Sequence, residues 1–306
     1  MTKSDFTIRT ATYKDHKELA NLIHFEVYVH RHLDWRPPLD WVGCHPFLIA
    51  ERDGEIVASL ACPPDLPSIA WIRMFAVSSD MQIENTWEAL WNKALSLLKK
   101  EKGIKWVAAI PIHAWFQTLL RESSFRLAQH VIMLSWERQN IPTGNIKIPA
   151  KIRPMTQDDL SNIQDIDAES FVPLWQNSLE ALKLAFRQSA VATVVEDKGI
   201  IVGYQISTST PIGGHIARLA VHPQVQRKGV GYALLHDIIT VFSRRGARKI
   251  TVNTQKDNLI SLSLYKKAGF QLTGEEYPIF QLAIPKNRFS PGQNHTNMGK
   301  FGEIFF

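Results

Sequence analysis

Two short segments late in the chain hold residue types and spacings suited to gripping a polyanion and moving a proton. The first is Gln226-Arg227-Lys228-Gly229-Val230-Gly231. Its two glycines remove side chains where successive backbone N–H groups can converge on an anion, and its two cations add attraction. The second holds Asn258, a capping side chain, then Ser261, then Tyr265, whose phenol is a proton donor, then Gly269 and Phe270.

The flanking patterns say which elements carry these residues. The apolar run Ile216-Ala217-Arg218-Leu219-Ala220-Val221 reads as a strand leading into the glycine loop. After the loop, apolar residues at 230, 234, 238, 241 and 242 give a helical period, so the loop ends on a helix N-terminus whose dipole favours negative charge. Residues 249–253 read as a further strand, and Asp257-Asn258 caps a helix that stops at Gly269. Other phosphate loops fit less well. A dinucleotide fingerprint needs a small residue where Leu234 stands and an acidic residue closing the next strand. A nucleotide-triphosphate loop needs Gly-Lys-Ser/Thr, which is absent.

The pattern Gln/Arg-x-x-Gly-x-Gly/Ala after a strand ending Leu-Ala-Val resembles the coenzyme A loop of the GNAT acyltransferases. The second segment is similar to that family's Asn-x-x-Ala-x-x-x-Tyr-x-x-x-Gly-Phe, with Ser261 in the alanine position. The resemblance implies an α/β fold with a mixed sheet, acetyl-CoA as cosubstrate, no metal, and acetyl transfer to a primary amine by direct attack. It implies a cofactor site made by Leu219, Ala220 and Val221 on a splayed strand, by Gln226, Arg227, Lys228, Gly229, Val230 and Gly231 in the loop, and by Asn258. A backbone N–H at 219–221 would meet the thioester oxygen, and Tyr265 would protonate the departing thiolate. Without the resemblance, Tyr265 reads as a half-buried helix residue and Asn258 as a cap. The family's acceptor segment corresponds to 168–179, with Phe171, Pro173 and Trp175, and implies a small-molecule amine or a peptide as acceptor. The segment is somewhat similar to that of ribosomal-protein N-terminal acetyltransferases.

An attacking amine must lose a proton at neutral pH, so a base is needed. Glu169, His215 and His222 are the candidates, and each has a plain alternative: a solvated helix face, a turn residue, a strand cap. Cys44 and Cys62 lie far along the chain from the loop, which disfavours a covalent acyl-cysteine route.

The chain repeats itself. Offset by 144 to 145 residues, Ile8-Arg9 aligns with Ile152-Arg153, Thr12-x-x-Asp15 with Thr156-x-x-Asp159, Ala76-Val77 with Ala220-Val221, and Phe125 with Phe270. Two tandem copies of one fold are expected: 1–140, a linker at 141–150, 151–286, and a tail at 287–306 that reads as either free or docked as a strand. In the first copy Asn85 and Trp87 stand in place of Gly229 and Gly231, and Leu120 in place of Tyr265. An indole there would fill the space of the pyrophosphate. Residues 1–144 carry 16 basic and 16 acidic side chains and 145–306 carry 19 and 13, so the net charge of +6 lies with the intact loop. Eight of the nine tryptophans precede the linker, marking either a bulky core or a ligand or partner surface. The latter gives the rival expectation of a CoA-binding regulatory or partner-binding protein.

The basic patch Arg244, Arg245, Arg248, Lys249 has no recognition motif beside it, so nucleic acid is not an expected partner. No apolar stretch approaches the about 20 residues of a membrane span. Two cysteines in 306 residues and an N-terminus without a hydrophobic signal core imply a cytoplasmic setting.

Overall fold

The helix-start boxes read from the sequence form twice over. Asp15 accepts the Thr12 backbone N–H at 2.7 Å and its hydroxyl at 3.0 Å, and Arg9 grips the same carboxylate with two nitrogens. Asp159, Thr156 and Arg153 repeat the arrangement. The Arg153 guanidinium holds the Asp159 carboxyl down at about 2.

The computed structural model describes residues 5–137 and 150–285. The linker at 141–150 lies, up to residue 149, outside the described residues, as does the tail at 287–306. The first half runs β1 (Thr7–Thr10), α1 (His16–Phe25), β2 (Tyr28–Arg31), β3 (Phe47–Arg52), β4 (Glu55–Ala61), β5 (Pro64–Leu66), β6 (Ile69–Trp71), β7 (Met74–Val77), α2 (Ile83–Leu98), β8 (Trp106–Ala109), α3 (Ala114–Glu122) and β9 (Arg126–Glu137). The second half runs β10 (Lys151–Pro154), α4 (Leu160–Ser170), α5 (Leu179–Gln188), β11 (Val191–Asp197), β12 (Ile200–Thr210), β13 (Gly213–Val221), α6 (Val230–Arg244), β14 (Lys249–Gln255), α7 (Leu259–Lys267) and β15 (Gln271–Ala283).

The fold is α/β with one antiparallel and one mixed sheet. One has the order β1-β3-β4-β7-β2; the other has ten strands in the order β10-β11-β12-β13-β14-β9-β15-β8-β6-β5. The large sheet crosses the boundary between the sequence halves. β9, from the first half, lies between β14 and β15, antiparallel to both, and β15 pairs on its other side with β8. The cores interlock in the same way. Ile132, Leu134 and Trp136 of β9 pack with Leu235, Ile250 and Phe270, while Phe280 of β15 packs with Trp87, Leu120 and Phe125. Trp136, counted by sequence with the first half, thus belongs to the core of the second.

Candidate active site

Strands β13 and β14 are parallel and pair only from Gly213↔Lys249 to Ile216↔Val252. Beyond that point both continue, to Val221 and Gln255, without pairing to each other. The result is a V-shaped gap in the sheet. The His222 N–H bonds to the Val202 carbonyl, so by strand alternation Ala220 also faces β12, while Leu219 and Val221 turn their backbone groups toward the gap. Ala220, one of the three residues expected to donate there, is thereby excluded. The Val221 carbonyl is taken up by the Ser170 hydroxyl and the Gln226 side-chain amide; of the two residues whose N–H groups face the gap, Leu219 is the one that lines the cleft.

The glycine loop follows. Arg227 and Gly229 adopt φ of 63° and 87°, a left-handed geometry that glycine accepts without cost and that turns the chain sharply into α6. Ala233 N–H is bonded to the Gly229 carbonyl, so the N–H groups of Val230, Gly231 and Tyr232 have no intrahelical acceptor and point out of the helix start. Arg227 and Lys228 are exposed beside them. Gln226 differs from expectation: its amide braces the loop against Val221 and is not turned outward. A Cβ added at Gly231 would lie 3.5 Å from Leu264 and 3.6 Å from Val221, so a larger side chain would enter the space between α6 and α7. This donor set and this narrow gap between helices fit a pyrophosphate with a slender arm behind it.

The first half fills the equivalent space three times over. Helix α2 begins at Ile83, directly after Gln82, so the residues matching the cradle loop are wound into helix. Trp87 does not occupy the loop position itself. It inserts between α2 and α3, 2 % exposed, donates to the Ser123 hydroxyl at 2.6 Å, and packs on Phe75, Trp91 and Phe116. Finally, β2 pairs along the whole of β7, Tyr28↔Val77 to Arg31↔Met74, and covers the edge that β13 leaves open. His30 of β2 stacks on Phe116 at 4.1 Å, and burial lowers its pKa to about 3.

In the second half the gap opens into a cleft of about 700 Å³ whose walls come from both halves. Tyr265, Asn258 and Leu219 line it from the second half, as do Phe171 and Trp175. Tyr265 is 6 % exposed, and burial raises its pKa above the ordinary tyrosine value, opposed by the charge of Arg218. Asn258 caps α7 by accepting the Ser261 N–H at 3.0 Å, so its plain reading holds alongside its place in the cleft.

Glu169 and His222 are brought together, with His222 Nε2 at 2.8 Å from Glu169 Oε2, but neither lines the cleft that holds Tyr265. The physical reason is the end of β13. His222 leaves the strand as the cap of a short turn, its Nδ1 accepting the Gln224 N–H, and so sits beside the loop and away from the gap. His215, by contrast, lines the cleft.

Sequence reasoning missed a buried network on the acceptor side. Asp167, fully buried, accepts from Tyr204 OH at 2.5 Å, Arg218 Nε at 2.8 Å and the Asn177 N–H at 2.8 Å. Arg218 also donates to the Trp175 carbonyl at 2.5 Å and lies 3.5 Å from the Phe171 ring centroid. The first half holds the same segment from outside: Trp175 Nε1 donates to Gln129 at 2.9 Å, the Ser178 hydroxyl to Asp65 at 3.0 Å, and Trp71 packs against Trp175. The one sequence signal was Arg218, a lone cation inside the apolar run 216–221; Asp167, between Asp165 and Glu169, reads as part of a solvated helix face.

Among the described residues no group of three or more metal-binding side chains comes together, and no helix is long and apolar enough to cross a membrane.

An open splay beside a glycine-led helix start is the arrangement that the sequence resemblance to acyltransferases implies. Residues 160–270, within the second half, match the model of the Acetyltransferase (GNAT) family, so that segment is a domain of the N-acetyltransferase type. A Bacillus subtilis protein named for alanine N-acetylation of ribosomal protein bS18 is 25 % identical over 129 residues, covering 42 % of this chain and 85 % of that protein. The peptidyl-lysine N-acetyltransferase YjaB of Salmonella typhimurium is 25 % identical over 143 residues, covering 39 % and 92 %. A tandem GNAT protein from the clavulanic acid biosynthesis pathway shares the fold over 92 % of this chain and 98 % of its own, with a TM-score of 0.64 at 11 % identity.

Proposed function

We propose that the second half transfers an acetyl group from acetyl-CoA to a primary amine held in the cleft between the halves. The observation that carries this reading is the contrast at matching positions: Leu219, Gly231, Ser261 and Tyr265 leave a gap where Phe75, Trp87, Phe116 and Leu120 close it. Arg227, Lys228 and the free N–H groups of Val230 and Gly231 hold the pyrophosphate, and Asn258 borders the arm behind it. The Leu219 N–H stabilises negative charge developing on the thioester oxygen. Tyr265, kept protonated by burial, gives its proton to the departing sulfur. Phe171 and Trp175 wall the acceptor, fixed in place by Arg218, Asp167 and the first half.

The cleft volume of about 700 Å³ falls in the range of small-molecule sites, about 300 to 1,000 Å³. That favours a small amine or the end of a short peptide. The test combines calorimetric titration with acetyl-CoA and a panel of amines, amino acids and N-terminal peptides assayed by CoA release from the full chain. One acetyl-CoA per chain and turnover with at least one amine are expected. A stoichiometry of two would overturn the contrast between the halves, and tight binding with no transfer to any amine would move the chain to a CoA-responsive regulator.

A further inference from the structure

We infer that the acceptor carries a carboxylate as well as its amine, an amino acid in chemical class, and that Arg73 and His32 of the first half hold that carboxylate; this rests on the acetyl-transfer reading above. Both side chains line the cleft. The strand that closes the first half's own gap, β2, brings them together. Just past its last pair with β7, Arg31↔Met74, the His32 N–H bonds to the Arg73 carbonyl at 2.9 Å, so the two residues lie side by side. The repeated fold does not require this charge: in the register that aligns Ala76-Val77 with Ala220-Val221, Ala217 stands at the position of Arg73.

Both side chains are short of acceptors. Arg73 is 5 % exposed, and a guanidinium donates from each of its nitrogens. Its Nη1 donates to Asp34 Oδ2 at 2.5 Å, but the other oxygen, Oδ1, takes the Trp35 backbone N–H at 2.7 Å. The pair is end-on, and Arg73 Nε has no hydrogen-bond partner among the described residues. Nor has His32 Nδ1. A buried donor on a charged group costs free energy until it meets an acceptor, so this corner of the cleft calls for an anion. The field has the matching sign. Arg31 and Arg73 line this wall with Asp34 and Asp65, and Arg36, stacked on Trp41 at 4.1 Å beside Arg73 at 4.5 Å, adds a further cation. Burial and the charge of Arg73 hold the His32 pKa well below its usual value, so His32 brings a hydrogen bond and no charge.

Position limits the size of the acceptor. The His32 ring lies 4.8 Å from Trp71, and Trp71 lies 5.9 Å from Trp175 of the acceptor wall, so one indole separates the anion corner from that wall. A carboxylate in the corner and an amine beside Trp175 therefore belong to one small molecule. The flat carboxylate, with two oxygens, matches the guanidinium fork. The N-terminus of a long polypeptide has an uncharged peptide bond in place of that carboxylate and leaves Arg73 as it was.

The experiment measures kcat/KM by CoA release from the full chain with amino acids, with their carboxamides, and with the amines left when the carboxylate is removed; acetyl-CoA titration checks the fold. The wild type should favour the amino acids by on the order of 10- to 100-fold, the worth of a charge-assisted hydrogen bond. Arg73→Lys keeps a cation beside Asp34 without the fork, and His32→Phe keeps a ring against Trp71 without the N–H. Each should shrink the preference several-fold, chiefly through KM. Amine basicity differs among the acceptors but not between wild type and variant, and partial misfolding lowers all rates alike, so the change in the ratio reports the carboxylate. If the wild type acetylates amides and simple amines as well as amino acids, or if its preference survives both variants unchanged, this assignment alone is overturned. If the wild type acetylates no amine, the acetyl-transfer reading falls and this one with it.

Discussion

Tyr265 serves as a proton donor only while its phenol stays protonated, and two opposing influences set that balance. Burial disfavours the phenolate and raises the pKa, while Arg218 draws it back. The larger influence is burial, so the group is protonated throughout the neutral range, and in the proposed role the nearby cation would help at the moment charge passes to the phenol. On the proposed role, in which the hydroxyl acts as charge develops on sulfur, Tyr265→Phe should reduce kcat on the order of 10²-fold and leave acetyl-CoA affinity nearly unchanged. Stopped-flow or steady-state CoA release beside calorimetric affinity measures both. Undiminished turnover would remove Tyr265 from the mechanism.

The two halves share their elements and differ in what lies between them. β13 keeps an open edge next to β14, whereas β7 has its edge covered by β2 and its helix gap plugged by Trp87. Backbone pairing with β2 supplies the hydrogen bonds that a bound arm would otherwise supply. Trp87→Gly is therefore expected to open a cavity costing about 3 to 5 kcal/mol of stability without creating a second acetyl-CoA site. Denaturant unfolding and titration stoichiometry test it, and a stoichiometry rising to two would show that the indole alone closes the first half. Much at this scale was legible in the sequence. The glycine loop, the Asn258 cap, the Gly269 stop and the Thr-x-x-Asp boxes are encoded by residues within a few positions of one another, and each forms as read. The covering of β7 by β2 was not, because the pattern in Tyr28–Arg31 marks a strand but not its partner.

At the scale of the molecule, the boundary read near residue 140 divides the sequence and not the sheet. Nothing local in residues 126–137 says that β9 will sit between β14 and β15. The tryptophan excess likewise resolves only in three dimensions: Trp87 and Trp91 fill the first core, Trp136 the second, and Trp35 and Trp71 face the cleft. The interlocking makes each half depend on the other. Without residues 1–137, β14 loses β9, and β15 loses both β9 and β8, leaving one bare edge on β14, two on β15, and a core without Ile132, Leu134 and Trp136. Residues 144–306 expressed alone should therefore aggregate or unfold, whereas co-expression with residues 1–143 should give a complex that co-purifies and binds one acetyl-CoA. Size-exclusion chromatography and calorimetry on the fragments separate the outcomes. A folded, monomeric 144–306 fragment with full acetyl-CoA affinity would show that the exchanged strands are dispensable and that the catalytic half stands by itself.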